Sequence, residues 1–324
     1  MVPLIDRQLV VLSGKGGVGR TTVAAALAQA AAARGKRVLI AQTNAVERLG
    51  RMLGRPGPIG SEVIEVAPRI AAVNMTPRES LHQYALMVLR YETVYKALFD
   101  NRVVRGFLSA IPGIDAYAML GKTWWHTTET EGPPSKGSRV PPRLRYDLVI
   151  LDGPASGHAT GMLKIPKAII DAVPAGPLVR DARLISSLLA DPQRTAFVIV
   201  TLPAELPAGE TVELARAARV ELGVPLGPVI VNAVPPARLA TEPVASLLDR
   251  LGGASDDKLL ARTLAMAAGQ RAHVETANEV RAALARDPGL PMVSLPWLPS
   301  TDLGPREIEQ LSAALVASPE VVAR

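Results

Sequence analysis

The chain has 324 residues, a formal net charge of +6 and 48% hydrophobic residues. This length suits one large α/β core with little left for a second unit, so we expect a single domain over residues 1–324. The absence of cysteine excludes disulfides, thiolate metal sites and a cysteine nucleophile. Because the sequence has neither a long apolar run nor a signal-peptide pattern, we expect a cytoplasmic protein without a transmembrane segment.

The basic residues are mostly arginine, which accounts for 28 of the 36. They form no dense run interleaved with aromatic residues, so specific nucleic-acid binding is not expected. The sequence leaves open whether a weakly basic surface faces a nucleotide, an acidic partner or membrane headgroups.

Seven short apolar runs, separated by helical segments, predict buried strands. Continuous Val, Ile and Leu runs are typical of strands that are covered on both faces of a parallel sheet. We therefore expect an α/β fold with a mostly parallel, doubly wound sheet flanked by helices, and a ligand site at the carboxyl ends of its strands. The predicted strands are residues 9–12, 38–41, 70–74, 148–151, 197–201, 229–232 and 292–295.

Other segments predict helices and one long loop. Residues 77–120 are predicted to be mainly helical, and residues 244–286 to form two more helices. Residues 121–145 are rich in Pro, Gly and Ser and predict a flexible loop. Trp124 and Trp125 in that loop either bind a protein partner or pack onto the domain, and the sequence leaves both readings open.

The turn after the first strand has the layout of a phosphate-binding P-loop, although Arg20 replaces the lysine of the usual pattern G-x-x-x-x-G-K-[ST]. Glycines allow successive backbone N–H groups to surround a phosphate, and the following helix adds its positive N-terminal end. We expect Thr21 to contact Mg²⁺ and Thr22 to contact another phosphate; an ordinary glycine-rich turn is the alternative. The predicted binding residues are Gly14, Lys15, Gly16, Gly17, Val18, Gly19, Arg20, Thr21 and Thr22.

Asp152 ends the apolar run 148–151. A carboxylate in that position is costly unless it serves a metal ion or accepts hydrogen bonds. We therefore predict that Asp152 and Thr21 hold Mg²⁺ between them, and we place Arg20 and Asp152 in the catalytic set. The alternative is an aspartate that caps the next turn.

With Lys15 included, the P-loop is similar to the deviant Walker A motif G-K-G-G-x-G-K-[ST]-[ST]. This motif belongs to the dimeric ATPases that include the arsenite-pump and tail-anchored-protein-targeting ATPases. The segment 152–158 resembles their switch II sequence D-T-A-P-T-G-H, and Val229-Ile230-Val231-Asn232 resembles a strand whose terminal asparagine contacts adenine. Further similar stretches are Ile111 to Asp115, Pro203 and Glu205 with Glu210 and Thr211, and Leu295 to Pro299.

The resemblance implies ATP and Mg²⁺ as cofactors, with Asn232, Pro296 and Trp297 on the adenine side. It also implies a homodimer, or a heterodimer with a paralogous ATPase subunit, in which Lys15 reaches the nucleotide of the partner and so joins Arg20 and Asp152 in the catalytic set. His158 would be a switch residue rather than a base.

Three features depart from the family pattern. The segment Thr43-Asn44-Ala45-Val46 replaces switch I, D-P-A-H, and lacks the carboxylate that orients the attacking water. Arg20 replaces a lysine with a longer, planar group. Finally, the chain has no cysteine for arsenite or an interfacial zinc, and the segment after switch II is too short for a methionine-rich groove.

We therefore expect an ATP·Mg-binding dimeric switch protein with weak or partner-dependent hydrolysis. One alternative is a fully active ATPase in which Arg20 and another acid, Asp152 or Glu47, take over the missing roles. Another is a non-hydrolysing scaffold that recruits a partner through the Trp124-Trp125 segment.

Overall fold

The computed structural model describes residues 2–89, 113–132, 142–236, 258–300 and 302–322. Within these ranges, eight strands form one sheet in the order β3-β4-β2-β5-β1-β6-β7-β8. All neighbouring strands are parallel except the edge pair β3 and β4. The strands are β1 (Leu9–Ser13), β2 (Val38–Thr43), β3 (Ile64–Ala67), β4 (Ile70–Met75), β5 (Leu148–Asp152), β6 (Thr195–Thr201), β7 (Leu226–Val234) and β8 (Met292–Pro296).

The predicted fold class and all seven predicted strands are confirmed. Sequence reasoning missed only β3 among the described strands. This edge strand has a single fully buried residue, Val66, and an exposed Glu65, so it lacks the continuous apolar run of its neighbours. Edge strands commonly have this mixed character because one side faces solvent.

Helices cover both faces of the sheet. Ala-rich α1 packs on one face together with α9, where the small side chains allow close approach to the sheet. Helices α4, α5 and α6 contribute to the core on the other face. The helices are α1 (Arg20–Ala32), α2 (Leu49–Met52), α3 (Pro77–Leu89), α4 (Ile114–Thr128), α5 (Ser156–Ala172), α6 (Pro177–Ala190), α7 (Glu205–Ala217), α8 (Lys258–Arg286) and α9 (Pro305–Val316).

The start of the predicted loop at residues 121–145 is wrong, because residues 121–128 belong to α4. Trp124 and Trp125 therefore lie on a helix. Trp124 packs against the core, as one of the two readings expects, whereas Trp125 is 42% exposed and its contact with a protein partner stays a prediction.

Other predictions fall partly outside the described residues. The helical segment 77–120 is confirmed at α3 and α4, whereas residues 90–112 are not described. Of the two helices predicted over 244–286, residues 258–286 form the single helix α8, and the preceding residues through 257 are not described. Flexibility of residues 133–141 stays a prediction, as does the single-domain organisation.

The strand order brings three loops to one edge of the sheet. Strands β2, β5 and β1 are consecutive neighbours, and Asp152 is in register with Leu12 of β1 and Gln42 of β2. The P-loop, the segment after Asp152 and the loop after β2 therefore meet at the carboxyl edge. None of the helices within the described ranges has the length and apolar character that a membrane crossing requires.

Candidate functional site

The P-loop has backbone conformations that favour glycine. Gly17 and Gly19 have φ values of +85° and +91°, and a Cβ on Gly14 would lie 2.1 Å from the carbonyl oxygen of Val200. A Cβ on Gly16 or Gly17, by contrast, would meet nothing within 4 Å. The loop is thus packed against the protein at Gly14 and open at its tip.

Helix α1 starts directly after this loop. Its N-cap is Gly19, and no side chain of the described residues caps it. The free N–H groups of the first turn and the positive end of the helix dipole therefore favour a bound anion at this position.

A cavity of about 470 Å³ opens at the start of α1. Its lining comes from the P-loop, from the segment after β5 and from the end of β2 with the loop and short helix that follow. The lining residues are Gly17, Gly19, Arg20, Thr21, Thr22, Thr43, Asn44, Ala45, Val46, Arg48, Met52, Asp152, Gly153 and Pro154.

Asp152 and Thr21 meet in this cavity, as the sequence predicts. The Thr21 hydroxyl donates to Asp152 Oδ2 at 2.7 Å, and Gln42 Nε2 donates to the same oxygen at 3.0 Å. The Thr43 hydroxyl donates to the backbone carbonyl of Asp152 at 3.0 Å. Burial raises the pKa of Asp152 above its ordinary value, although both side-chain hydrogen bonds and the charge of Arg20 act in the opposite direction.

Arg20 also lines the cavity, and it contacts its own loop. Its Nη1 donates to the carbonyl oxygen of Gly14 at 3.1 Å. Burial lowers the pKa of the guanidinium, while the carboxylate of Asp152 counteracts this effect. One N–H group of the arginine that replaces the usual lysine is therefore used within the P-loop itself.

Lys15 lies outside the cavity lining and pairs with a carboxylate of α7. Its Nζ lies 2.5 Å from Glu210 Oε1, and the Ser156 hydroxyl donates to Glu210 Oε2 at 3.1 Å. The hydrogen bond from Lys15 is the main reason that the pKa of Glu210 is lowered. Glu210 thus joins the P-loop to the first residue of α5, which belongs to the predicted switch II segment.

Asn74 holds the loop of residues 44–48, which we name the β2 loop, through three hydrogen bonds. Asn74 Oδ1 accepts the Ala45 N–H at 2.9 Å, and Nδ2 donates to the Ala45 carbonyl at 2.8 Å and to Glu47 Oε1 at 2.9 Å. Glu47 also accepts the backbone N–H groups of Ile59 and Gly60. Glu47 does not line the cavity, and its carboxylate is used to hold this loop.

The three residues predicted for the adenine side lie on β7, on β8 and directly after β8. Asn232 Nδ2 donates to the Val18 carbonyl at 2.9 Å, so this side chain contacts the P-loop. Pro296 ends β8, and Trp297 is 49% exposed with its backbone N–H bonded to Val234. None of the three lines the cavity.

The residues present fit a phosphate chain and Mg²⁺. The open glycine tip and the uncapped α1 offer N–H donors to phosphate oxygens. Thr21 and Asp152 supply the oxygen ligands that Mg²⁺ prefers, and the Thr21 hydroxyl keeps free lone pairs while it donates to Asp152. A cation beside Asp152 would also offset the burial of its charge.

Comparison with known proteins agrees with this geometry. Residues 7–174 match the family described as Anion-transporting ATPase, and this match covers just over half of the chain. The chain belongs to the anion-transporting ATPase family. The matched region contains the P-loop, the β2 loop and Asp152, and all of the described cavity-lining residues lie within it.

Individual relatives of this family member differ in how much of their length is matched. ATPase BagA of Mycobacterium tuberculosis is 29% identical over 244 residues, which cover 74% of this chain and 68% of the relative. The arsenical pump-driving ATPase of Escherichia coli is 27% identical over 218 residues, or 63% of this chain and 35% of the relative. ATPase ASNA1 homolog 1 of Paramecium tetraurelia is 26% identical over 160 residues, or 48% and 42%.

Sequence reasoning missed several contacts of the site in this anion-transporting ATPase family member. Gln42, which binds Asp152, and Arg48, which lines the cavity, were not predicted. The pairing of Lys15 with Glu210 was not predicted either. The position of Gln42 at the end of β2 was the available signal, because β2 and β5 are neighbours in the sheet.

Proposed function

We propose that this protein binds ATP·Mg²⁺ in the cavity at the start of α1 and acts as a dimeric switch with weak or partner-dependent hydrolysis. The hydrogen-bonded pair of Thr21 and Asp152, beside an open glycine tip and an uncapped helix, is the observation that carries this proposal. A buried carboxylate that ends a strand beside a P-loop is costly without a cation partner. Family membership supports nucleotide binding.

Each part of the site has a distinct role in this proposal. The backbone N–H groups of residues 14–22 bind the phosphates, and Thr21 and Asp152 hold Mg²⁺, which supplies charge neutralisation when bound. Arg20 contacts a phosphate oxygen with the N–H groups that its bond to Gly14 leaves free. On the β7 and β8 side, Asn232, Pro296 and Trp297 are assigned to the adenine.

Weak hydrolysis follows from the groups that line the cavity. Among the described lining residues, Asp152 is the only carboxylate, and two hydrogen bonds hold it at the metal position. Thr43 stands where the family has an acid, and a neutral hydroxyl does not accept a proton from water at neutral pH as a carboxylate does. Misplaced charge at Arg20 adds to this loss, because positioning errors of about 1 Å cost about 100-fold in rate.

The dimeric part of the proposal depends on Lys15. The resemblance assigns this lysine to the nucleotide of a partner subunit, which is either a second copy or a paralogous ATPase subunit. Exposed apolar side chains near the carboxyl edge, namely Val46, Leu206 and Trp297, support a covered surface there.

Calorimetry and turnover measurements test the proposal. We expect a non-hydrolysable ATP analogue to bind in the presence of Mg²⁺, and Asp152→Asn to weaken the Mg²⁺-dependent part of the affinity at least tenfold. ATP turnover of the isolated chain should be slow and should rise with a paralogous ATPase subunit. Loss of this stimulation in Lys15→Ala would support the role in trans.

Two outcomes would favour the alternatives. Rapid turnover by the isolated chain that survives Lys15→Ala but is lost in Asp152→Asn would favour a self-sufficient ATPase. Absence of ATP and ADP binding would favour a scaffold, for which Trp125 is the exposed candidate contact.

A further inference from the structure

Arg48 is a cation of the cavity wall that sequence reasoning did not assign. It lies at the end of the β2 loop, its side chain is exposed, and it lines the same cavity as Thr21 and Asp152. Among the described residues, its guanidinium has no hydrogen-bond or ion-pair partner. An exposed arginine without a partner is ordinary on a protein surface, so its meaning depends on what surrounds it.

The two cations of the motif are both held by the chain itself. Arg20 donates to the carbonyl of Gly14, and Lys15 pairs with Glu210. Of the two arginines among the described lining residues, Arg48 is therefore the one whose side-chain N–H donors are all available to a ligand. Among the described lining residues, Arg20 and Arg48 face the single carboxylate of Asp152, so their summed formal charge is positive.

The strand order, together with the residues that the proposed function assigns to adenine, gives the direction in which a nucleotide would extend. The predicted adenine residues lie at β7 and β8, the P-loop follows β1, and the loops after β5 and β2 come next along the sheet. The cavity runs from the P-loop toward the β5 and β2 side. The end of a phosphate chain held by the P-loop would thus point toward the β2 loop.

The β2 loop is positioned before any ligand binds. Asn74 bonds both backbone groups of Ala45, and Glu47 bonds the backbone of residues 59 and 60. Asn74 and Glu47 do not line the cavity, whereas Asn44, Ala45, Val46 and Arg48 do. A fixed backbone reduces the conformational entropy that Arg48 loses when it binds an anion.

On the basis of the proposed function, we propose that Arg48 binds the terminal phosphate of the nucleotide and makes the site prefer a triphosphate to a diphosphate. A guanidinium suits this task because its planar donors can bond two phosphate oxygens at once. ADP lacks the phosphate that would reach the β2 loop, so its affinity should depend little on Arg48.

Calorimetry with Mg²⁺ and two ligands, a non-hydrolysable ATP analogue and ADP, tests this inference. Arg48→Ala should weaken binding of the ATP analogue by about 10- to 100-fold, the range for a hydrogen bond to a charged group, and leave ADP within about twofold. Arg48→Lys should lie between Arg48→Ala and the wild type. Arg34→Ala is the matched control, because it removes an exposed arginine that follows the far end of α1.

The possible results separate this inference from the proposed function. A selective loss of the ATP analogue supports Arg48 as a terminal-phosphate ligand. Equal losses for both ligands, or no loss for either, would overturn it while leaving nucleotide binding intact. If the wild type binds neither ligand, the proposed function fails and this inference fails with it.

Discussion

Asp152 is only 4% exposed, and two side-chain donors share one of its carboxylate oxygens. Burial raises its pKa, so the folded protein binds this proton more tightly than the unfolded chain does. For an acid with a raised pKa, stability falls as pH rises from the unfolded pKa to the folded one. Above that window, the ionised Asp152 costs stability that a bound cation would restore.

Asp152→Asn should therefore stabilise the apo protein at neutral pH while it weakens Mg²⁺-dependent nucleotide binding. The expected rise in melting temperature is a few degrees at most, because each 1 kcal/mol produces about 2–4 °C in domains of 150–250 residues and less in a longer chain. The gain should shrink toward pH 4, where the wild-type carboxyl is protonated more often. Thermal unfolding of both proteins between pH 4 and 8 without Mg²⁺ measures this effect. A variant that melts below the wild type at pH 7 would contradict it.

The β2 loop is the element whose position depends most on one side chain. Asn74→Ala would leave the N–H and carbonyl of Ala45 without their present partners and would remove one donor to Glu47. Unpaired buried polar groups cost about 1–3 kcal/mol each, and this loop is partly open to water. We expect a loss of about 1–3 kcal/mol in stability, together with faster amide exchange at residues 44–48.

Denaturant unfolding and hydrogen exchange check this prediction. Gln83→Ala is the control, because Gln83 makes one long hydrogen bond of 3.4 Å to the exposed Glu62. Exchange at residues 44–48 that stays at the wild-type rate in Asn74→Ala would show that Asn74 does not fix the loop.

The elements differ in how well the sequence predicts them. Continuous apolar runs identify the central strands because both of their faces are buried, whereas the mixed pattern of β3 provides no such signal. The turn-forming residues after 132 favour a loop, but a loop that extends back over Gly121 and the two tryptophans is wrong, because the C-terminal half of α4 lies there. Tertiary packing favours the helical conformation of this segment. A Cβ on Gly121 would lie 2.6 Å from the Tyr84 ring, so α4 approaches α3 closely at this glycine.

The sequence predicts those site residues whose functional groups lie close together along the chain or are marked by a local pattern. The P-loop lies within ten consecutive residues, and Asp152 is marked by a charge at the end of an apolar run. Contacts between distant segments were not predictable in this way. Lys15 and Glu210 are 195 positions apart, and only the packing of α7 beside the P-loop brings them together.

At the scale of the whole molecule, the Lys15–Glu210 ion pair within one subunit competes with the proposed association of two subunits. A lysine that serves a partner subunit must leave Glu210 when the dimer forms. The two side chains are 37% and 35% exposed, and such partly exposed pairs contribute about 0.2–1 kcal/mol. Losing the pair therefore opposes dimer formation only slightly. Its removal should favour dimer formation by about 1.4- to 5-fold in the dissociation constant for each pair that the dimer would otherwise break, and a homodimer breaks two.

Sedimentation with Mg²⁺ and a non-hydrolysable ATP analogue tests this expectation. Glu210→Gln should increase the dimer fraction relative to the wild type, because the neutral amide holds Lys15 less strongly. Glu213→Gln, on the same helix and exposed, is the matched control and should leave the fraction unchanged. Lys15→Ala should lower it, since the proposed contact with the partner nucleotide is lost. Equal dimer fractions in the Glu210 and Glu213 variants would mean that this ion pair does not compete with assembly.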